Sequence, residues 1–337
     1  MIQFLVIAFA TFVTLGAYHE SQAASAPTKV VATNSAMNAR VAPLWIARDQ
    51  GFFKKYGTDT DLVLIRSGPL QVASLASGDT DVAYTGASTV LGAAGGGADL
   101  KILAVFTNKI TYDLVARPGI KSPGDLREKR VGVQAIGGTV WMGAILGLER
   151  LGLDPSRDHI NILVVGDQAV LTQGLLAGTI DATVLDGVYS RRLHERGFPI
   201  LAEFSKNNIP FSSGGIVVRQ TYLERQSSTT ENVLKAVLEA NAFLRAADKK
   251  ASVMNTLRRY LRVSERDAEE GYKDTLAGLD LKPYPSVKGI QNIQRLMKIQ
   301  NPKIEKVRVE ELIDDRILRK LDESGFIDEL YFKYGVK

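Results

Sequence analysis

The chain repeats itself at a spacing of about one hundred residues, and that periodicity limits its folds more than any other feature. Val30-Val31-Ala32-Thr33 reads as a strand, and Val131-Gly132-Val133-Gln134 reads the same way. A helical pattern over 44–50 stops at Gly51, and one over 145–151 stops at Gly152. The strand 62–65 (LVLI) is matched by 162–165 (ILVV), and 75–86 (LASGDTDVAYTG) by 176–187 (LAGTIDATVLDG), with Gly78 over Gly178 and Asp81 over Asp181. Ile102-Leu103-Ala104 pairs with Ile200-Leu201-Ala202, and 114–117 with 216–219, so the offset stays between 98 and 102. Each copy alternates short β-branched runs with helical patterns, which is how right-handed βαβ units and a mostly parallel sheet are written. The expected fold class is therefore α/β, with two lobes, each a mostly parallel sheet flanked by helices.

The extended pieces 112–117 and 214–219 each end one copy and begin something else. They are the candidate strands linking the lobes, and they place the first lobe at 25–116 and 215–337 and the second at 117–214. Ser122, Pro123 and Asp125 mark a helix start just after the first link, as N-cap, N1 and first-turn acid. Beyond Arg219 helices dominate. Val233, Ala236, Val237, Ala240, Phe243 and Leu244 fall on one helical face, Ser264 to Asp267 reads as a capping box, and Ile313, Ile317 and Leu321 form a further stripe stopped by Gly325. So many apolar stripes must be covered, and packing back on the first lobe covers them.

Residues 4–17 are an apolar run followed by the polar 19–22 and then Ala23-Ala24. Small residues at Ser21 and Ala23 fit a signal peptide over 1–24, cleaved after Ala23 or Ala24, with a retained membrane anchor as the rival reading. Export to an extracytoplasmic compartment is the expectation. The chain has no cysteine, which excludes a lipoprotein anchor, disulfides, thiolate metal sites and cysteine nucleophiles. A net charge of +5 from 42 basic and 37 acidic residues is small, and the basic cluster at Lys249, Lys250, Arg258, Arg259 and Arg262 reads as a solvated helix face rather than a nucleic-acid stripe.

Three segments then carry a family resemblance: 43–57 (PLWIARDQGFFKKYG), 68–88 (GPLQVASLASGDTDVAYTGAS) and 121–133 (KSPGDLREKRVGV), joined by 321–328 (LDESGFID). In these the chain resembles the periplasmic substrate-binding proteins of ABC importers, of the nitrate, sulfonate and taurine type, together with the related thiamine-precursor receptors. The resemblance implies a type II periplasmic-binding-protein fold, two crossover strands joining the lobes, and a ligand in the cleft between them. It also implies a membrane permease as partner, a monomer, no cofactor and no nucleic acid.

In open α/β sheets ligands bind beyond the carboxyl ends of the strands, where helix N-termini offer unpaired N–H groups. In the first copy those loops supply Asn34, Ser35, Met37, Ser67, Gly68, Thr85, Gly86, Ala87 and Ser88 as candidate ligand residues. In the second they supply Gly138, Thr139, Trp141, Asp167 and Asp186. Gly, Ser and Thr let backbone and hydroxyl groups approach a small ligand closely; equally, such residues simply make turns and caps. Trp141 is either an apolar wall to the ligand or a core residue under the loop. Asp167 and Asp186 would favour a ligand that donates hydrogen bonds, although Asp186 could equally cap the next helix. The loops carry no basic residue except Arg66, so a strictly anionic ligand would rest on helix N-termini and Arg66. The expected ligand is a small polar organic molecule.

The rival reading is an enzyme of the same fold acting on a small metabolite. Beyond the N-terminal segment only His159 and His194 remain, and neither has a nearby nucleophile or metal-ligand spacing. No catalytic or metal residues are expected.

Overall fold

Two separate five-stranded sheets divide the chain in the computed structural model, which describes residues 26–65 and 67–336. The expected signal peptide and Arg66 lie outside the described residues. The first sheet takes β1 (Thr28–Asn34), β2 (Thr58–Leu64), β3 (Val82–Thr85) and β4 (Leu100–Lys109) from the first copy, with the late strand β10 (Pro210–Arg219), in the order β2-β1-β3-β10-β4. The second takes β5 (Asp113–Ala116), β6 (Arg130–Val133), β7 (Asn161–Val164), β8 (Ala182–Leu185) and β9 (Ile200–Glu203), in the order β7-β6-β8-β5-β9. The orders are equivalent, with β5 in the place of β10. Each of these strands runs antiparallel to both its neighbours, while the rest of its sheet pairs in parallel.

The two extended links are thus the inserted antiparallel strands. Sheet pairing moves the crossing points to 110–112 and 207–209. β5 pairs with β8 and β9 in the second sheet, and 210–214 belongs to the first, so the expected boundaries after 116 and 214 move back by β5 and by the first half of β10. The repeat is also more regular than its sequence. Asp81 accepts the Val31 N–H at 2.9 Å and Asp181 accepts the Arg130 N–H at 3.0 Å, which aligns β1 with β6 two residues away from the sequence match. A two-residue slip keeps every side chain on the same face, so alternation alone could not detect it. One helix start is also smaller than expected: after Ser122 the chain makes a single 3-10 turn, Pro123–Leu126, closed by the capping box with Asp125.

The helices that cover these sheets are α1 (Ala42–Asp49), α2 (Phe52–Lys55), α3 (Gly68–Ser77) and α4 (Ala87–Gly95) in the first copy, and α5 (Thr139–Arg150), α6 (Gln168–Ala177) and α7 (Gly187–His194) in the second. After β10 come α8 (Gln220–Arg225), α9 (Ser227–Arg245), α10 (Lys250–Leu261), α11 (Glu265–Gly278), α12 (Val287–Met297), α13 (Arg316–Glu323) and α14 (Phe326–Lys333). The first sheet is covered on both faces except along β2, where Asp59, Asp61 and Val63 are exposed. On one, Trp45 of α1 stacks on Tyr260 of α10 at 4.7 Å, and the apolar stripe of α9 packs against α1. On the other, Val90 and Leu91 of α4 meet Ile290 and Ile293 of α12. A bridge between Ile102 and Ile313 returns the C-terminal segment to β4. Glu239 of α9, its side chain wholly buried, ties three helices together. It accepts from Tyr56 at 2.7 Å, Lys333 at 2.6 Å and Tyr334 at 2.8 Å, and pairs with Lys55. In the second lobe Gly147 of α5 lies so close to Phe204 that a Cβ there would come within 2.2 Å of the ring.

Candidate functional site

The carboxyl ends of β1 and β8 meet across the lobes. Just past β1, Asn38 accepts the Arg40 N–H at 3.2 Å and starts the 3-10 turn Ala39–Val41. That turn aims Arg40 at the second lobe. The guanidinium pairs with Asp186, at the end of β8, over 2.5 Å, donates to Thr111 of the first crossover at 2.7 Å and lies 5.0 Å above the Tyr112 ring. Both members of the pair are buried, at 9% and 8% exposure. Burial opposes the charge on Arg40, but Asp186 and Tyr112 outweigh it and hold the guanidinium more firmly protonated than usual. Gln168 completes the clamp on Asp186, donating to its second oxygen at 2.5 Å and accepting its N–H at 2.8 Å.

Two further carboxylates close on this point. Asp113 opens β5 and bonds to Ser190 of α7; burial pushes its carboxyl up, against the pull of Ser190 and Arg191. Asp274 of α11 lies against Gly187, where a Cβ would stand 2.3 Å from both carboxylate oxygens. Its pKa is pushed up to about 7, first by burial and then by Asp186 and Asp113, with Arg40 and the Gly187 N–H pulling the other way.

The strand-end helices differ in how their N-termini are satisfied. Ser67 caps α3, accepting the Leu70 N–H at 3.4 Å, and Asp167 caps α6, accepting from Ala169 at 3.0 Å and Val170 at 3.1 Å. These two occupy equivalent places in the repeat. α4 and α5 begin at Gly86 and Gly138 with no side-chain cap, so among the described residues the first N–H groups of Ala87-Ser88 and Thr139-Val140 have no side-chain partner. Gly68 lies beside Thr89 of α4, and the Thr85 hydroxyl bonds to Thr89 at 3.1 Å. Asn34 folds back onto the Ala36 carbonyl at 2.7 Å. Ser35 is half-buried, and Met37 is exposed. Met37 and Leu70 in the first lobe, with Ile136, Val164 and Val170 in the second, are exposed apolar side chains on the strand-end edges of the two sheets.

Several expected residues therefore have structural work. Asp167 is a helix cap, and Trp141 is buried in the second lobe's core. Asp186 does not cap α7 with its side chain; it holds Arg40 across the lobes. Reasoning from strand-end loops missed Arg40, Asp113 and Asp274. Arg40 stands between Ala39 and Val41, an isolated cation in an otherwise apolar segment, and that signal was readable. Asp113 heads an apolar strand, and Asp274 sits mid-helix with no sequence mark. Among the described residues no group of histidine, aspartate and glutamate side chains is arranged to hold a metal ion. A groove of about 440 Å³ lies behind the second crossover, between Glu149, Asn208 and Arg295, and none of the strand-end residues lines it.

Twin sheets of this order, joined by two crossings, define the two-lobed periplasmic-binding-protein class. The chain belongs to the NMT1/THI5-like family, whose model matches residues 38–251. A protein named for binding, YtlA of Bacillus subtilis, is 26% identical over 224 residues, covering 64% of this chain and 66% of YtlA. The periplasmic aliphatic sulphonate binding protein SsuA of Escherichia coli superposes with a TM-score of 0.71 at 20% identity, over 87% of this chain and all of SsuA (100%). The periplasmic nitrate-binding protein NrtA of Synechocystis PCC 6803 gives 0.69 at 16% identity, over 88% of this chain and 89% of NrtA.

Proposed function

We propose that this chain is an exported solute-binding protein that captures a small polar organic molecule between its lobes and delivers it to an ABC-type permease. The observation that carries this reading is the pair of uncapped helix N-termini, α4 in one lobe and α5 in the other, each at a strand end. A polar group placed between them is held by N–H donors from both sides, with Ser88 and Thr139 supplying hydroxyls beside them. The candidate contacts are Gly86, Ala87, Ser88, Gly138 and Thr139, with Thr85 and Gly68 behind them. Exposed apolar side chains on the same edges favour an organic molecule over a bare inorganic ion, since only the former has surface to bury against them. Asp186 is engaged by Arg40 and so is not a free acceptor for a ligand amine.

Binding between the lobes favours the closed form because only that form touches the ligand from both sides. The relatives named for binding, and the periplasmic location printed for SsuA and NrtA, support the receptor role and the extracytoplasmic site. The test is a thermal-shift screen of the chain lacking residues 1–24 against sulfonates, pyrimidines, amino-acid derivatives and aromatic acids, followed by mass spectrometry of each hit after incubation. A receptor returns its ligand chemically intact. Turnover of a hit would establish the enzyme reading instead.

A further inference from the structure

Helix α11 runs along the boundary between the lobes from the first crossover outwards. Gly278 packs on Thr111 of the crossover; one turn on, Asp274 meets Gly187; Gly271 meets Val188 a turn further. At the outer end Asp267 pairs with Arg192 and Arg266 with Glu195, while Arg191 and Glu270 stand 4.0 Å apart. Outward of Asp274, apart from Val188 against Gly271, this seam is made of charges, most of them half-exposed, and such pairs are weak enough to separate.

Among the described residues no cation forms an ion pair with Asp274, unlike the other acids of the seam. Asp274 belongs to α11, in the first lobe, yet most of the charge around it comes from the second: Asp186 at the start of α7 beside Gly187, Asp113 of β5, and Arg191 of α7, itself engaged by Glu203 at 3.1 Å. Arg40, from its own lobe, is committed to Asp186, and Glu270 and Lys273 on its own helix pair with each other at 2.7 Å. Bringing the lobes together therefore presses one half-buried carboxylate against two others. Parting them returns it to water. A carboxyl in that position is held neutral more easily than ionised, because protonation removes the repulsion and the desolvation penalty together.

We propose that closure of the lobes takes up one proton, at the carboxylate of Asp274. This rests on the hinge-closure part of the receptor reading. The sign follows from linkage. The proton affinity of Asp274 is raised in the closed form, so closure is favoured as pH falls through about 7, and the gain levels off at the ordinary carboxylate value near 3.8. Between pH 7.5 and 5.5 the closed-to-open ratio rises roughly twentyfold.

Because the chain has no cysteine, Ala73→Cys on α3 and Gln173→Cys on α6 create a unique pair for spin labels, one on each lobe. The full chain lacking residues 1–24 is measured by pulsed electron–electron resonance across pH 5.5–7.5. The expected result is a shift to the short-distance population on acidification. In Asp274→Asn, which cannot ionise, the short-distance population dominates at both ends and the pH response disappears. Gly187→Ala, whose methyl collides with the carboxylate, gives the long-distance population throughout. Two populations whose ratio ignores pH, or an unchanged pH response in Asp274→Asn, overturns the proton coupling alone. A single fixed distance in the parent and both variants overturns lobe motion itself, and with it the hinge-closure part of the receptor reading.

Discussion

Replacing Arg40 with Met removes the cation at the meeting point of the lobes and keeps most of the side chain's apolar bulk. Asp186 is then left 8% exposed, with Gln168 as its remaining donor, beside Asp274 and Asp113. Stranding one member of a buried pair costs about 3–5 kcal/mol. Gln168 keeps the loss toward the lower end, and the lost contact with the Tyr112 ring adds about 0.5–1 kcal/mol, so the expected destabilisation is about 3–4 kcal/mol at pH 7.5. Arg40 also holds the Asp274 carboxyl down, so its loss pushes that group further up and costs most at the higher pH. The deficit at pH 5.5 is therefore smaller than that at pH 7.5. Urea unfolding followed by circular dichroism at the two pH values measures both numbers, and small-angle scattering shows whether the variant relieves the charge by parting its lobes. The double variant Arg40→Met/Asp186→Leu recovers most of the loss because no charge is left stranded. A single variant with parental stability and parental radius of gyration at pH 7.5, or a deficit identical at both pH values, would refute this reasoning.

The Glu239 knot gives a second outcome. Burial pushes its carboxyl up, but Lys333, Lys55 and the two tyrosines outweigh that and hold it down at about 2. A depressed carboxylate stabilises the fold above its unfolded value near 4.5 and loses that contribution as pH falls toward 2. Glu239→Gln is expected to cost about 2 kcal/mol at pH 7 and to flatten the acid-unfolding profile between those pH values, read by tryptophan fluorescence. At Gly147 an added methyl has no room beside Phe204, so Gly147→Ala should cost about 1–3 kcal/mol. Adding Phe204→Leu should recover part of it, and a neutral Gly147→Ala in thermal unfolding would show that α5 and Phe204 are not held as described.

The architecture was legible because it is written twice. Gly78 with Gly178 and Asp81 with Asp181 serve the same turns, and the aspartates accept the same N–H groups in both lobes. What could not be read was anything fixed only by pairing. The extended runs near 113 and 214 were visible, but the sheet each joins depends on partners such as Thr183 and Ala104, far away in sequence. The two-residue slip of β1 against β6 was silent for the same kind of reason. At the site, sequence correctly drew attention to the strand ends but could not separate Asp167, which caps, from Asp186, which reaches across the lobes. Both look like acids before a helix. Arg40 carried a signal as a cation among apolar residues; Asp274 acquires its character only from the lobe it is pressed against.

Hydrogen exchange read by mass spectrometry, on the protein saturated with whichever compound gives the largest thermal shift, tests the receptor account most directly. Slowed exchange at both 86–88 and 138–140, in one titration and with one midpoint, is what a ligand gripped from two sides must produce. Slowing confined to one lobe, or appearing instead around 207–210 and 292–295, would place the ligand elsewhere and contradict the account.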